Sequence, residues 1–171
     1  MKLSLAAAAF AAFLCAPALA QAQTSAPAPT QAPSAIATAH AHGVLRVRSA
    51  YAFDETVTRL KADIAGKGIR FFTEIDQSQL GEAANISLPP SKLLIFGNPP
   101  LGLQFLTSNR LAGLDWPVRM LVAQDADGSV WVAWTDFAAI SDRYALDDRA
   151  AAIAMATAVS ASIASSVSPS R

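Results

Sequence analysis

From Val44 the chain alternates: Leu45 and Val47 fall on one side, Arg46 and Arg48 on the other, the period-two pattern of a half-buried strand. Phe53, Val57, Leu60 and Ile64 then recur at helical spacing, with Asp54 and Glu55 in the first turn, where acids suit the positive end of the helix dipole. Gly66 and Gly68 stop that helix. A second strand runs from Ile69 to Ile75, and strict alternation puts Ile69, Phe71, Thr73 and Ile75 on one face. Ser78–Ala84 reads as a short helix, closed off by Pro89-Pro90, and Lys92–Gly97 as a strongly apolar third strand. Asn98-Pro99-Pro100 forces a turn. Leu101–Asn109 is a short helix. Pro117 introduces a fourth strand, Val118–Gln124, and Asp127-Gly128 is a hairpin signal that pairs it with a fifth, Val130–Asp136. A short helix over Ala138–Tyr144 and a long Ala-rich helix over Asp147–Ser166 finish the chain.

The order β-α-β-β-β-β-α predicts an α+β domain of two layers, a mostly antiparallel sheet with helices on one face. No internal repeat is visible. Trp131 and Trp134 are three apart in one strand and so face opposite sides. Trp134 shares its side with core valines. Trp131 shares the other with Arg46, Arg48, Arg70 and Phe72, a face too aromatic for plain solvation and suited to a protein partner or to a homodimer, unless loops or a short helix cover it.

The stretch before the domain is different in kind. Met1-Lys2, an apolar run from Leu3 to Leu14, and Ala18-Leu19-Ala20 form a tripartite signal peptide with cleavage expected after Ala20. The run is too short to span a membrane, which takes about 20 apolar residues. Phe13-Leu14 ahead of Cys15 does not suit a lipid-acceptor cysteine. Residues 21–42, rich in Ala, Pro and Gln, read as a disordered linker, and residues 43–167 as one domain. The expected address is periplasmic or secreted, with no integral membrane segment once the signal is removed.

Composition then narrows the chemistry. Of 171 residues, 53% are hydrophobic and 15% charged, with 13 bases balancing 13 acids, so charge makes no case for nucleic acid. Cys15 is the single cysteine and leaves with the signal peptide, which excludes thiol chemistry from the mature chain. Only His40 and His42 offer imidazole. They sit at the linker–domain junction, and two ligands do not make a zinc site. No domain histidine exists to build a Ser-His-Asp triad. The expectation is no cofactor and no metal.

Ile95-Phe96-Gly97-Asn98-Pro99, Leu114-Asp115-Trp116-Pro117-Val118-Arg119, the Asp127-Gly128 hairpin and Val130-Trp131-Val132 carry a resemblance, joined by Thr56–Leu60 and Gly68. The sequence resembles the bacterial and archaeal domain-of-unknown-function family 302 over about residues 44–165. The resemblance implies a compact two-layer α/β fold and no established activity. Gln77 and Tyr144 stand where relatives often carry histidine, and Leu103 where a threonine is usual. Any metal or proton chemistry built on those groups is absent here.

Three residues remain as a candidate ligand site. In Gly97-Asn98-Pro99, glycine permits close backbone approach and Asn98 offers donor and acceptor, though asparagine before proline also stabilises its own turn. Asp115 and Arg119, flanking Pro117, either pair with each other or leave the guanidinium to hold an anion. Glu74 and Asp76 share a strand face, and Asp125 and Asp127 flank a hairpin; neither pair has a catalytic context. The sequence therefore favours an exported, non-enzymatic small-ligand-binding or accessory domain. The alternatives are an enzyme acting on a small anionic substrate near Asn98, Asp115 and Arg119, and an envelope-associated interaction module.

Overall fold

The computed structural model describes residues 38–40 and 42–168. The signal peptide, Cys15, most of the linker and the side chain of His40 lie outside the described residues. The elements are β1 (Thr38–His40), β2 (Val44–Arg48), α1 (Phe53–Gly66), β3 (Arg70–Asp76), α2 (Gln77–Ala83), β4 (Ser91–Gly97), α3 (Pro99–Ser108), β5 (Val118–Gln124), β6 (Val130–Thr135), α4 (Phe137–Tyr144) and α5 (Ala150–Ser165). Single 3-10 turns precede β5 (Arg110–Leu114) and α5 (Asp147–Arg149). The strands form one sheet in the order β1-β2-β6-β5-β4-β3, every neighbouring pair antiparallel. This is the α+β architecture expected from the sequence.

The helices α1 and α5 lie on one face. Leu60 and Ile64 of α1 and Ile163 of α5 are fully buried against Leu94, Met120, Val122 and Val132 of the sheet. Burying each such side chain is worth about 1.5–3 kcal/mol. A second cluster joins Phe105 of α3, Phe137, Ile140 and Tyr144 of α4, and Ala152 and Ala156 of α5. The small Ala and Ser side chains along the buried stripe of α5 let it pack closely on both groups.

A buried polar knot ties the start of α1 to the end of α5. Ser49 Oγ and Thr56 Oγ1 are 2.6 Å apart, and Thr56 Oγ1 also donates to the Ala52 carbonyl at 2.9 Å. The Ala50 N–H donates to the Val167 carbonyl at 2.8 Å. Both side chains are buried, so these bonds satisfy groups that water cannot reach.

Two local readings are corrected. Thr38–His40, placed in the linker by composition, is a strand: it pairs with β2 through Thr38–Arg46 and His40–Val44. Alternation in β3 also fails, because the register shifts between Phe71 and Thr73. A bulge inserts one residue and so exchanges the faces beyond it. Ile69 and Phe71 pack on the helix side, while Thr73 and Ile75 pair with Ile95 and Leu93 on the other.

Candidate functional site

Asp115 follows the 3-10 turn Arg110–Leu114 and is 8% exposed. Its carboxylate accepts three donors: Arg119 Nη2 at 2.5 Å, Arg143 Nη1 at 2.6 Å and Tyr144 Oη at 2.8 Å. Arg119 comes from β5. Arg143 and Tyr144 come from the last turn of α4, 28 and 29 residues away in sequence. The two arginines are 45% and 48% exposed in their side chains. The Tyr144 phenol oxygen, as an acceptor for Arg143, and then the Asp115 carboxylate raise the basicity of Arg143, and the bond to Asp115, with burial, pushes the Tyr144 phenol above its ordinary range. Asp115 is thus the hub of a closed network, with its oxygens committed to the protein's own donors.

Asn98 stands apart from that hub. It caps α3 through its backbone alone, its carbonyl accepting from Leu101 and Gly102, and its exposed side chain makes no capping bond. The self-bonded asparagine turn is therefore not formed. Next to it the Trp116 indole lies flat on Gly102, where a methyl group would overlap the ring, and touches Gly97. Phe72 meets the same indole edge-on at 6.4 Å between centroids.

The volumes at this end decide what it can hold. The space beside Asp115, Arg119 and Phe137 is about 10 Å³, and the apolar slot under Asn98 and Trp116 about 30 Å³. One water needs on the order of 10–15 Å³ by this kind of measure, so neither holds a metabolite. The sequence thus brings Asp115 and Arg119 together but leaves Asn98 outside their contacts and leaves no chamber between them.

The opposite end of the sheet carries a groove of about 760 Å³. One wall comes from the end of β2 and the start of α1, with Arg48, Ser49, Tyr51 and Asp54; the other from β3, α2 and β4, with Asp76, Ser78, Glu82 and Lys92. Gln124 and Ser129 of the β5–β6 hairpin floor it. Arg48 donates to Ser129 Oγ at 3.2 Å. Lys92 lies 3.5 Å from both Glu74 and Asp76, the carboxylates that share a strand face. Asp76 is held below its ordinary range first by the Gln79 N–H and then by the Ser78 hydroxyl. Glu74 is lowered chiefly by its 2.8 Å bond to Lys61. Asp127 accepts the Ser129 N–H, the plain turn role of the hairpin acids.

Sequence reasoning missed the groove, because its walls come from three separate connections. It also missed Arg143 and Tyr144 as partners of Asp115; the adjacent Arg-Tyr pair at a helix end was the only local sign. Among the described residues no three His, Cys, Asp or Glu converge on a metal position, and no helix is long and apolar enough to cross a membrane.

Comparison with known proteins places this geometry. A crystal structure of an uncharacterized conserved protein DUF302 from Bacillus stearothermophilus superposes with a TM-score of 0.67, over 73% of this chain and 98% of that one, at 16% identity, which is a likeness of fold. Two proteins named fluoride-specific ion channel FluC 1, from Brucella suis and Brucella abortus, are 36% identical over 104 residues, or 61% of this chain. The chain spans only 41% and 38% of those relatives. Residues 45–164, most of the chain, match the family described as domain of unknown function DUF302, and the chain belongs to that family.

Proposed function

We propose that this is an exported, non-catalytic binding domain whose ligand is a small, polar, zwitterionic molecule held in the groove at the Arg48 end of the sheet. The observation that carries the reading is size joined to chemistry. About 760 Å³ lies within the roughly 300–1,000 Å³ typical of small-molecule sites. Arg48 and Asp54 stand on one wall and Asp76, Glu82 and Lys92 on the other, so a molecule bearing both charges meets partners of both signs inside the groove. Hydroxyl and amide groups of Ser49, Ser78, Gln79 and Gln124 supply neutral hydrogen bonds between them. Export rests on the leader pattern of residues 1–20.

The enzyme reading near Asn98, Asp115 and Arg119 is weaker on geometry. Asp115 accepts three of the protein's own donors beside a space of only about 10 Å³, and Asn98 lines a separate slot. An accessory role draws support from the Brucella proteins, where a similar stretch lies within a longer chain named for another task.

The test is amide chemical-shift mapping of the domain against a panel of amino acids, dipeptides and neutral sugars. The reading expects saturable shifts from a zwitterion at Ser49, Tyr51, Gln79 and Ser129, lost in Arg48→Ala. Shifts clustered at Asn98–Arg119, or none across the panel, would refute it.

A further inference from the structure

The charges that line the groove do not balance. Arg48 and Lys92 are set against Asp54, Asp76 and Glu82, an excess of one acid. They also differ in what they already bind. Asp76 Oδ1 accepts from the Ser78 hydroxyl at 2.7 Å and from the Gln79 N–H at 3.0 Å, and its Oδ2 lies 3.5 Å from Lys92 Nζ. Lys92 is shared between that carboxylate and Glu74, also at 3.5 Å. Asp76 and Lys92 are thus spent on each other and on the protein's own donors and acceptors.

Three charges are left for a ligand. Arg48 donates to the neutral Ser129 hydroxyl and joins no ion pair among the described residues. Asp127 of the same hairpin accepts the Ser129 N–H instead. Asp54 on the first wall and Glu82 on the second are exposed, and neither side chain enters an ion pair or hydrogen bond among the described residues. Their neighbours do: Glu55 is held by Arg59 at 2.9 Å and Glu74 by Lys61 at 2.8 Å. An acid in the first turn of α1 suits the helix dipole, which gives Asp54 a structural use. Glu82 has none of that kind, because it stands in the last turn of α2, where a negative charge is unfavourable.

We infer that the ligand is an amino acid with a second cationic group on its side chain, a diamino monocarboxylic acid of the lysine type. The inference rests on the groove reading above and narrows its ligand class. One free cation and two free anions on the protein call for one anion and two cations on the ligand. Arg48 takes the α-carboxylate, whose two oxygens match the guanidinium fork. The α-ammonium and the side-chain ammonium go to Asp54 and Glu82. Ala50, Ala52 and Pro90 also line the groove and offer apolar surface to the methylene stem. A zwitterion with a neutral side chain leaves one carboxylate unanswered, and an acidic amino acid adds a further carboxylate to a groove already one acid in excess.

Isothermal titration of the full chain compares L-lysine with L-norleucine, which has the same carbon stem and no side-chain amine, and with L-glutamate. Lysine should bind about tenfold tighter than norleucine, the worth of one charge-assisted hydrogen bond, and glutamate should bind weakest. Asp54→Asn and Glu82→Gln should each weaken lysine about tenfold, and one of the two should bring lysine to the norleucine level. Thermal melts check that both variants fold, and Glu82→Gln alone carries the test should Asp54→Asn unsettle the start of α1. Equal affinity for lysine and norleucine, tighter binding of glutamate, or a lysine preference indifferent to the variants would overturn the inference and leave the zwitterion reading standing. Binding of none of the three would also overturn it, and the zwitterion reading falls too only if the dipeptides of its own panel fail.

Discussion

Replacing Asp115 by alanine isolates the hub at the Arg119 end. The carboxylate is 8% exposed and takes donors from Arg119, Arg143 and Tyr144. Removing one member of a fully buried charge pair costs about 3–5 kcal/mol, which sets the ceiling. Two of the three partners keep nearly half of their side-chain surface in water, which replaces much of what they lose. The expected cost of Asp115→Ala is therefore about 2 kcal/mol. At roughly 2–8 °C per kcal/mol for domains bracketing this size, the midpoint should fall by roughly 4–16 °C. Urea unfolding followed by circular dichroism gives the free energy, and a thermal melt the midpoint. Asp115→Asn, which keeps an acceptor oxygen, should lose less. The reasoning fails if Asp115→Ala melts within about 1 °C of the parent. It fails too if Asp115→Ala and Tyr144→Phe add independently, since residues sharing a bond should couple by more than about 0.5 kcal/mol.

Other expectations follow from the same structure. Gly102→Ala drives a methyl into the Trp116 ring and should destabilise by about 1–3 kcal/mol in urea unfolding; in a Trp116→Leu background the same change should cost clearly less. Thr56→Val keeps the shape but strips the bonds of Thr56 Oγ1 to Ser49 Oγ and to the Ala52 carbonyl from a fully buried site, and should cost about 1–2 kcal/mol. Glu74 is lowered in the folded state by Lys61, so its contribution is present above its ordinary value near 4.5 and is lost as pH falls through the lower, folded value. Stability measured from pH 6 down to about 3 should decline less steeply in Glu74→Gln. Tyr144 is raised, so its contribution holds below about 10 and is lost as pH climbs through the folded value. Spectrophotometric titration should show one late phenol step that disappears in Tyr144→Phe.

What the sequence made legible was local. Period-two and period-3.6 patterns located β2, α1, β4, β5 and β6, since each buries one side against the same core. Asp127-Gly128 placed the hairpin, and the opposite facing of Trp131 and Trp134 follows from the pleat. The failures are non-local. Thr38–His40 holds no large apolar residue, and pairing with β2 makes it a strand. The bulge at Phe71–Thr73 leaves no mark, because Ile69, Phe71, Thr73 and Ile75 still alternate in sequence across it. Asp115 and Arg119, four apart, announced their pairing, whereas Arg143 and Tyr144 reach Asp115 only because α4 folds back across the start of β5. The groove was invisible for the same reason: Arg48 and Asp76 meet its space from opposite ends of the sheet order.

The most direct test of a ligand held at the Arg48 end is native mass spectrometry of the chain purified without denaturant, beside Arg48→Ala and Asp115→Asn. The account predicts one small molecule per chain on the parent and on Asp115→Asn, and its loss from Arg48→Ala. A bare mass from all three, or an adduct that Asp115→Asn releases and Arg48→Ala keeps, would contradict it.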